Sequence, residues 1–241
     1  MVKEIGNEEA RQNWLAEKLA AIPAGKSLLD VGAGECQYKK YCGHLNYVAQ
    51  DVNLYDGSGD KAGLQTGTWD HSQIDIVCDL LDIPETEGFD VVLCSEVLEH
   101  VPDPARALEK LLRLTKPGRQ LIVTAPFCSM THFAPYHYAT GFSAYFYKHH
   151  LERFGWDIVE LSPNGGFFDY QGHQMNQTRG THSANLGSRA GFWTRQVLRL
   201  ASRTMRKLAN ADGSRNNRKS SELLTFGWHV VASRPLDANH L

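Results

Sequence analysis

Three stretches of the chain predict an α/β fold, doubly wound around a mostly parallel sheet. Ser27-Leu28-Leu29-Asp30-Val31-Gly32-Ala33-Gly34 is an apolar run ending in a glycine-rich turn, the pattern of a buried strand feeding a tight loop. Leu45 to Val52 is a second such run and ends near Asp51, about twenty residues past the loop, where a carboxylate in nucleotide-binding α/β folds accepts ribose hydroxyls. Phe89 to Cys94 is apolar and β-branched without polar alternation, as a central parallel strand buried on both faces should be.

Residues 1–25 form an N-terminal helical segment. Asn7 to Ala21 carries Trp14 and Leu15, with Leu19 and Ile22 one turn on, and Pro23 and Gly25 stop it. This face covers the sheet. After the first strand, Gly32 and Gly34 let the backbone turn sharply and approach a ligand without a side chain between. Cys36 to Gly43 is expected to open a helix whose N-terminus faces that ligand. Gln37 stands where a dinucleotide fold has its third glycine, so a mononucleoside cofactor fits better than one with a pyrophosphate.

Asp56 to Gly67 reads as a surface loop, and Ile74 to Cys78 as a short third strand ending at Asp79. Ser95 and Glu96 follow the fourth strand, at the edge where open α/β folds bind ligands. Pro104 suits the first turn of a helix, and Ala107, Leu108, Leu111 and Leu112 continue it at helical spacing. Lys116-Pro117-Gly118 ends that helix, and Leu121 to Ala125 is the fifth strand.

Pro126 to Tyr147 is dense in aromatics and holds His132 and His137. Phe127, Tyr136, Tyr138, Phe142 and Tyr145, just past a ligand-facing strand end, suit the wall of an acceptor site. Ser143 to Phe154 is predicted helical, Trp156 to Leu161 the sixth strand and Gly227 to Ser233 the seventh. Between them, 163–222 is an insertion far longer than a hairpin connection. Pro163 to Gly172 reads as loop and Asn210 to Ser221 as a mobile, basic linker. Trp193 to Ala209 is a helix, with Val197, Leu200 and Leu208 on one side and Arg195, Arg199 and Arg203 on the other. Two readings fit it: a cap with a solvated basic face, or a helix lying on an anionic membrane surface.

The 241 residues suit one domain with an elaboration, and 42% hydrophobic with 22% charged residues is ordinary for a globular protein. No apolar run is long enough to span a bilayer. Met1 to Ala10 is polar and acidic, unlike a secretory signal, and five cysteines without a Cys-x-x-Cys pair suit a reduced, cytoplasmic protein. Net charge is −2, but Arg189 to Lys219 holds nine Lys/Arg against one acid. That asymmetry marks a contact surface for anions; nothing else in the chain supports nucleic acid.

Further motifs make the pattern specific. Asp79-Leu80-Leu81-Asp82-Ile83-Pro84, the stretch Phe89 to Asp103 with its Glu99-His100-Val101-Pro102, and Leu114-Thr115-Lys116-Pro117-Gly118 follow the first loop in order. Together they resemble the class I S-adenosylmethionine-dependent methyltransferases of the ubiquinone/menaquinone-methyltransferase-like branch, over about residues 26–162. The resemblance implies a Rossmann-like methyltransferase fold of seven strands, mostly parallel, with an antiparallel last strand. It implies that Asp30, Gly32, Ala33, Gly34, Asp51 and Val52 hold S-adenosyl-L-methionine together with Asp79, Leu80 and Ser95. Asp79 and Leu80 would sit by the adenine, unless Asp79 is simply satisfied by local backbone. Trp14 becomes a candidate cofactor lid.

Methyl transfer from a sulfonium is an in-line displacement, so the protein must chiefly hold acceptor and methyl carbon in attack geometry. A hydroxyl acceptor also needs a base near neutrality. His100, His132 and His137 are the candidates, with Glu96 as an alternative base or hydroxyl acceptor. His132 and His137 lie five apart, with His149-His150 after them, but no acid cluster or Cys partners them at a recognisable ligand spacing, and no metal is expected. Pro135 to Phe142 with Tyr145-Phe146-Tyr147 resembles methyltransferases of bacterial surface-glycan pathways. A sugar hydroxyl on a glycan precursor is therefore expected, with a quinone or other small molecule as the alternative. The Asn-Pro-Pro-Tyr of amino-group methylases is absent. A non-catalytic cofactor-binding scaffold stays open, because the loop reads Gly32-Ala33-Gly34-Glu35-Cys36 where the family has three alternating glycines.

Overall fold

In a strand, successive side chains point to opposite faces, and here both faces are covered. The computed structural model describes residues 6–86, 88–185 and 191–236. Leu29 and Val31 of β1 (Ser27–Val31), Val92 and Cys94 of β4 (Phe89–Ser95), and Leu121 and Val123 of β5 (Thr115–Pro126) enter one cluster. That cluster also takes Leu108 and Leu111 of α2 (Pro104–Leu114), and Tyr147 and Leu151 of α3 (Ala144–Arg153). The alternate residues Leu28, Val91, Leu93 and Ile122 meet Trp14, Leu15 and Leu19 of α1 (Asn7–Ala20) on the other face.

Among the described residues one seven-stranded sheet has the order β3-β2-β1-β4-β5-β7-β6. Its remaining strands are β2 (Asn46–Asp51), β3 (Ile76–Val77), β6 (Asp157–Pro163) and β7 (Gly227–Ser233). β1 pairs in parallel with both β2 and β4, while β7 runs antiparallel to β5. The chain reverses its direction of winding between β1 and β4. In open α/β sheets ligands bind at such a switch point.

Several local expectations are corrected. The helix expected over Cys36 to Gly43 is a single 3-10 turn, Lys39–Tyr41. Gly34 and Cys36 both have positive φ, +54° and +55°, so the chain cannot enter an α-helix there. β3 is only two residues long. β5 begins at Thr115, and Lys116 to Arg119 form an irregularity in its pairing with β4 instead of a helix stop. Trp14 is no lid: it stacks on His229 at 4.6 Å and its indole N–H donates to Glu160 Oε1 at 2.9 Å.

The chain divides into two compact units, Met1–Leu161 with Gly227–Leu241, and Ser162–Phe226. Within the second, the expected loop over Pro163 to Gly172 gives way at Phe167 to α4 (Phe167–Asn185), which packs on α5 (Phe192–Ala211). The two helices meet at Gly172, whose carbonyl accepts from Ser202 Oγ at 3.1 Å. The expected mobile linker contains two 3-10 turns and three buried residues, Arg218, Ser220 and Ser221. Arg218 pairs with Asp169 at 3.1 Å and donates to the carbonyls of Ala209 and Gly213, closing off the end of α5.

Candidate active site

The first unit carries a cleft at the carboxyl ends of β1, β2 and β4. Gly32 lines it from the first turn, Asp51 from the end of β2, Asp79 and Leu80 from the segment after β3, and Glu96 and Val97 from the turn after β4. Asp51 is held by the loop it faces. Its Oδ2 accepts the Gly34 N–H at 2.9 Å and its Oδ1 accepts the Asn53 N–H at 2.8 Å. A carboxylate oxygen has two lone pairs, so each retains one for a further donor. Asp79 lines the same cleft while its Oδ1 caps the following turn by accepting from Leu81 N–H.

Glu96 has φ of +56°, strained backbone of the kind that persists where the surroundings over-determine it. Its N–H donates to the Thr124 carbonyl at 2.8 Å, Oε1 accepts from Thr124 Oγ1 at 3.0 Å, and Oε2 pairs with Arg11 at 2.8 Å. Burial works against the Arg11 charge, but Glu96 and Tyr38 outweigh it and hold the guanidinium above its usual range. Arg11 comes from α1, far away in sequence, and nothing in the local pattern marks it.

Asp30 lies behind the turn, almost without exposed surface, and accepts from the Tyr47 hydroxyl at 2.6 Å. Burial pushes its carboxyl up to about 7, against the pull of Tyr47, and the nearby Asp51 charge adds to the rise. Its folded pKa lies above the unfolded value of 3.8, so the folded state binds this proton more tightly. Stability from Asp30 is therefore greatest below about pH 4 and declines as pH rises to about 7. Asp30→Asn should flatten that decline by up to about 1.4 kcal/mol per pH unit. Denaturant midpoints of both proteins between pH 4 and 8 measure it; parallel curves would refute the assignment.

The segment after β5 is anchored to the turn after β4, because the Tyr138 and Ala139 N–H groups donate to the Glu99 carbonyl at 2.9 and 3.2 Å. This gathers the three candidate histidines, with ring centroids 4.7 Å apart for His100 and His132 and for His132 and His137. His100 also lines the cleft; His132 and His137 are not among its lining residues. Burial lowers the His100 pKa to about 4, and its two neighbours push the same way against the Tyr136 carbonyl. Burial lowers that of His137 as well. Glu99, fully buried beneath them, is pushed well above the usual carboxylate range by burial and by Glu96.

Of the wall aromatics, Tyr136 and Tyr138 reach the cleft, joined by Phe133, Tyr55 and Trp69. Phe127 packs against the core, and Phe142 is buried there 4.6 Å from Phe146. Tyr145 lies two residues from the buried Tyr147 on α3 and so faces away, 77% exposed. Among the expected cofactor residues, Gly32, Asp51, Val52, Asp79 and Leu80 line the cleft. Ala33 and Ser95 are buried beside it: the Ala33 N–H donates to the Gln50 carbonyl, and Ser95 Oγ bonds Tyr38 and Thr124. Tyr55 and Trp69 escaped sequence reading because they flank the Asp56 to Gly67 stretch, which looks like ordinary surface loop.

The sequence profile described as methyltransferase domain matches residues 7–161. A ubiquinone biosynthesis O-methyltransferase of Pseudomonas entomophila strain L48 is 32% identical over 114 residues, 46% of this chain and 48% of that protein. One from Paraburkholderia phymatum is 33% identical over 97 residues, 39% of this chain and 41% of that protein. The chain thus spans about half the length of the curated relatives it matches. In structure, a SAM-dependent methyltransferase from Archaeoglobus fulgidus aligns with a TM-score of 0.55 at 13% identity over 94% of both chains. The 4+2 cyclase SpnF aligns with a TM-score of 0.53 at 17% identity, over 95% of this chain and 81% of its own. At such identities the likeness is one of fold, and a fold hosts more than one reaction.

Proposed function

The chain belongs to the methyltransferase-domain family, within the class I S-adenosylmethionine-dependent methyltransferases, and we propose that it methylates a hydroxyl group in the cleft of its first unit. The observation that carries the reading is Asp51, fixed at the carboxyl end of β2, one strand from the sheet's switch point, by Gly34 and Asn53 with one lone pair left on each oxygen. That suits the two adjacent hydroxyls of a ribose. The Gly32 turn gives close backbone approach, and Leu80 and Val52 supply apolar surface for a base. Bound there, S-adenosylmethionine supplies a methyl carbon already activated by its sulfonium.

The chain's own part is to hold and orient the acceptor. Phe133 offers an aromatic face, and Tyr136 and Tyr138 offer aromatic faces with polar tips, which suit a sugar ring. Glu96, anchored by Arg11 and Thr124, suits a hydrogen bond from the acceptor hydroxyl, and His100 lines the same cleft but, with its pKa lowered to about 4, is a poor base. We favour a sugar hydroxyl of a glycan precursor. A phenolic acceptor is the second reading, favoured by relatives named for ubiquinone biosynthesis O-methylation. Calorimetric titration with S-adenosylmethionine, beside NAD, tests the cofactor. Turnover to S-adenosylhomocysteine with nucleotide sugars against catechol-type phenols tests the acceptor. No binding of S-adenosylmethionine would overturn the reading, and binding without turnover on any acceptor would favour a scaffold.

A membrane-surface role for α5 belongs to the same proposal. The helix's apolar arc is divided: Leu198 and Met205 are half-buried, whereas Trp193, Val197 and Leu200 are exposed beside the Arg195, Arg199 and Arg203 face. An exposed apolar stripe next to a basic one suits an anionic lipid surface. No helix among the described residues is long and apolar enough to cross a membrane. Co-sedimentation with phosphatidylserine vesicles and none with phosphatidylcholine vesicles is expected, abolished by Trp193→Glu with Leu200→Glu. Equal behaviour with both vesicles would remove the membrane role.

A further inference from the structure

We propose that His100, His132, His137 and Glu99 form a divalent-cation site of zinc-type chemistry beside the cleft. Sequence spacing argued against a metal because no acid or Cys partners His132 and His137 at a ligand spacing; the fold brings to them His100 and Glu99, which follow β4. One ring nitrogen from each histidine lies within 4.8 Å of those of the other two. Glu99 Oε1 is 3.8 Å from His100 Nε2 and 3.9 Å from His132 Nε2.

Hydrogen bonding identifies which nitrogens are electron-pair donors. His100 Nδ1 lies 2.5 Å from the Tyr136 carbonyl, and His132 Nδ1 lies 2.9 Å from the Met130 carbonyl. A carbonyl oxygen can only accept, so both Nδ1 atoms carry the hydrogen, and each neutral ring keeps its lone pair on Nε2. Those are the nitrogens nearest Glu99. Backbone carbonyls behind Nδ1 are the usual device that orients a ligating imidazole. Glu99 has no exposed surface and neither of its oxygens has a hydrogen-bond partner; nor has His100 Nε2 or either nitrogen of His137.

With neutral rings, then, the buried Glu99 carboxyl faces the ring lone pairs at distances too long for a hydrogen bond. A cation at their centre, displacing the carboxyl proton, satisfies all four donors at once. Three imidazoles and one carboxylate is a donor set that suits zinc. Zinc–nitrogen bonds of 2.0–2.1 Å in a tetrahedron set ligands about 3.4 Å apart. Glu99 Oε1 is about half an ångström from meeting that spacing, and the histidine nitrogens must close by about 1.4 Å at most. Rotations of side chains supply such movements. Because His100 also lines the cleft, the cation would border it; with all four tetrahedral positions taken by the chain it would fix the His100 ring and the segment after β5, as closed structural sites do, and the site does not depend on the methyl-transfer reading.

The test uses the untagged full chain, stripped with a chelator and titrated with Zn(II) and Co(II). One equivalent of each is expected, Co(II) giving the strong visible absorption of a four-coordinate nitrogen–oxygen site. His137→Ala and Glu99→Gln should each weaken binding by about 10-fold or more, while His149→Ala, outside the cluster, should not. Only weak binding, an octahedral Co(II) spectrum, or a His137→Ala protein that binds as the parent does would overturn the site. If the variants do not fold, the spectrum of the parent still decides. S-adenosylmethionine titration of the same samples separates the two ideas: cofactor binding without metal binding rejects this site alone, and metal binding without cofactor binding rejects the cofactor reading alone.

Discussion

Asp51→Ala should lower the affinity for S-adenosylmethionine by about 100-fold or more while leaving the fold intact. Hydrogen bonds to a charged group contribute about 1.5–3 kcal/mol each, and a ribose would make two. Since about 1.4 kcal/mol is tenfold, losing both predicts two orders of magnitude or more. The substitution also leaves the Gly34 and Asn53 N–H groups without their acceptor, which loosens the turn. In the other direction it removes a carboxylate that repels Asp30, so the loss of stability should be partly offset. Asp51→Asn should be intermediate: its carbonyl oxygen can serve one backbone N–H, but its amide then opposes the other. Calorimetry on the three proteins, with circular dichroism to check the fold, gives the ranking. An Asp51→Ala protein that binds like the parent would show that the carboxylate belongs to the loop and not to the cofactor.

How far such a site can be read from sequence depends on how local its determinants are. The strands were legible because burial on both sheet faces demands apolar runs such as Val91 to Cys94, or Leu28 to Val31 broken only by Asp30, and local motifs cover the chain from the first turn to α2. Asp51 was legible for the same reason, standing at the end of its strand a fixed distance past a glycine turn. What escaped was assembled by topology. Arg11 reaches Glu96 across 85 positions of sequence, and the pairing of Leu64 with His132 brings an apparently plain surface loop against the segment after β5. The histidine cluster is the clearest case, since no spacing in the chain connects His100 to His132. Composition misled in the opposite direction: Phe142 and Tyr145 share an aromatic stretch with Tyr136, but one faces the core and the other solvent.

Gly32→Ala should cost about 2–5 kcal/mol of stability and most of the cofactor affinity, for two separable reasons. Gly32 has φ of +65°, a left-handed conformation that costs an L-residue about 1–2 kcal/mol. A Cβ at this position would also lie 2.5 Å from Val97 Cγ2 and 3.0 Å from Cγ1, an overlap in the range of about 1–3 kcal/mol for overpacked sites. Val97 is β-branched and partly buried against the core, so it cannot swing aside as a long side chain would. Gly34→Ala is the useful contrast: its Cβ would meet only the ring edge of Trp69, at 3.0 Å, and a side chain that lines the open cleft can give way. Pairing Gly32→Ala with Val97→Ala separates the terms. The double variant should recover the overlap but not the backbone strain, so the two substitutions couple favourably by about 1–3 kcal/mol in thermal or denaturant unfolding. Additive losses would mean that Val97 is not what the glycine avoids. Full recovery would mean that the turn tolerates a side chain, and that the glycine is there for the ligand alone.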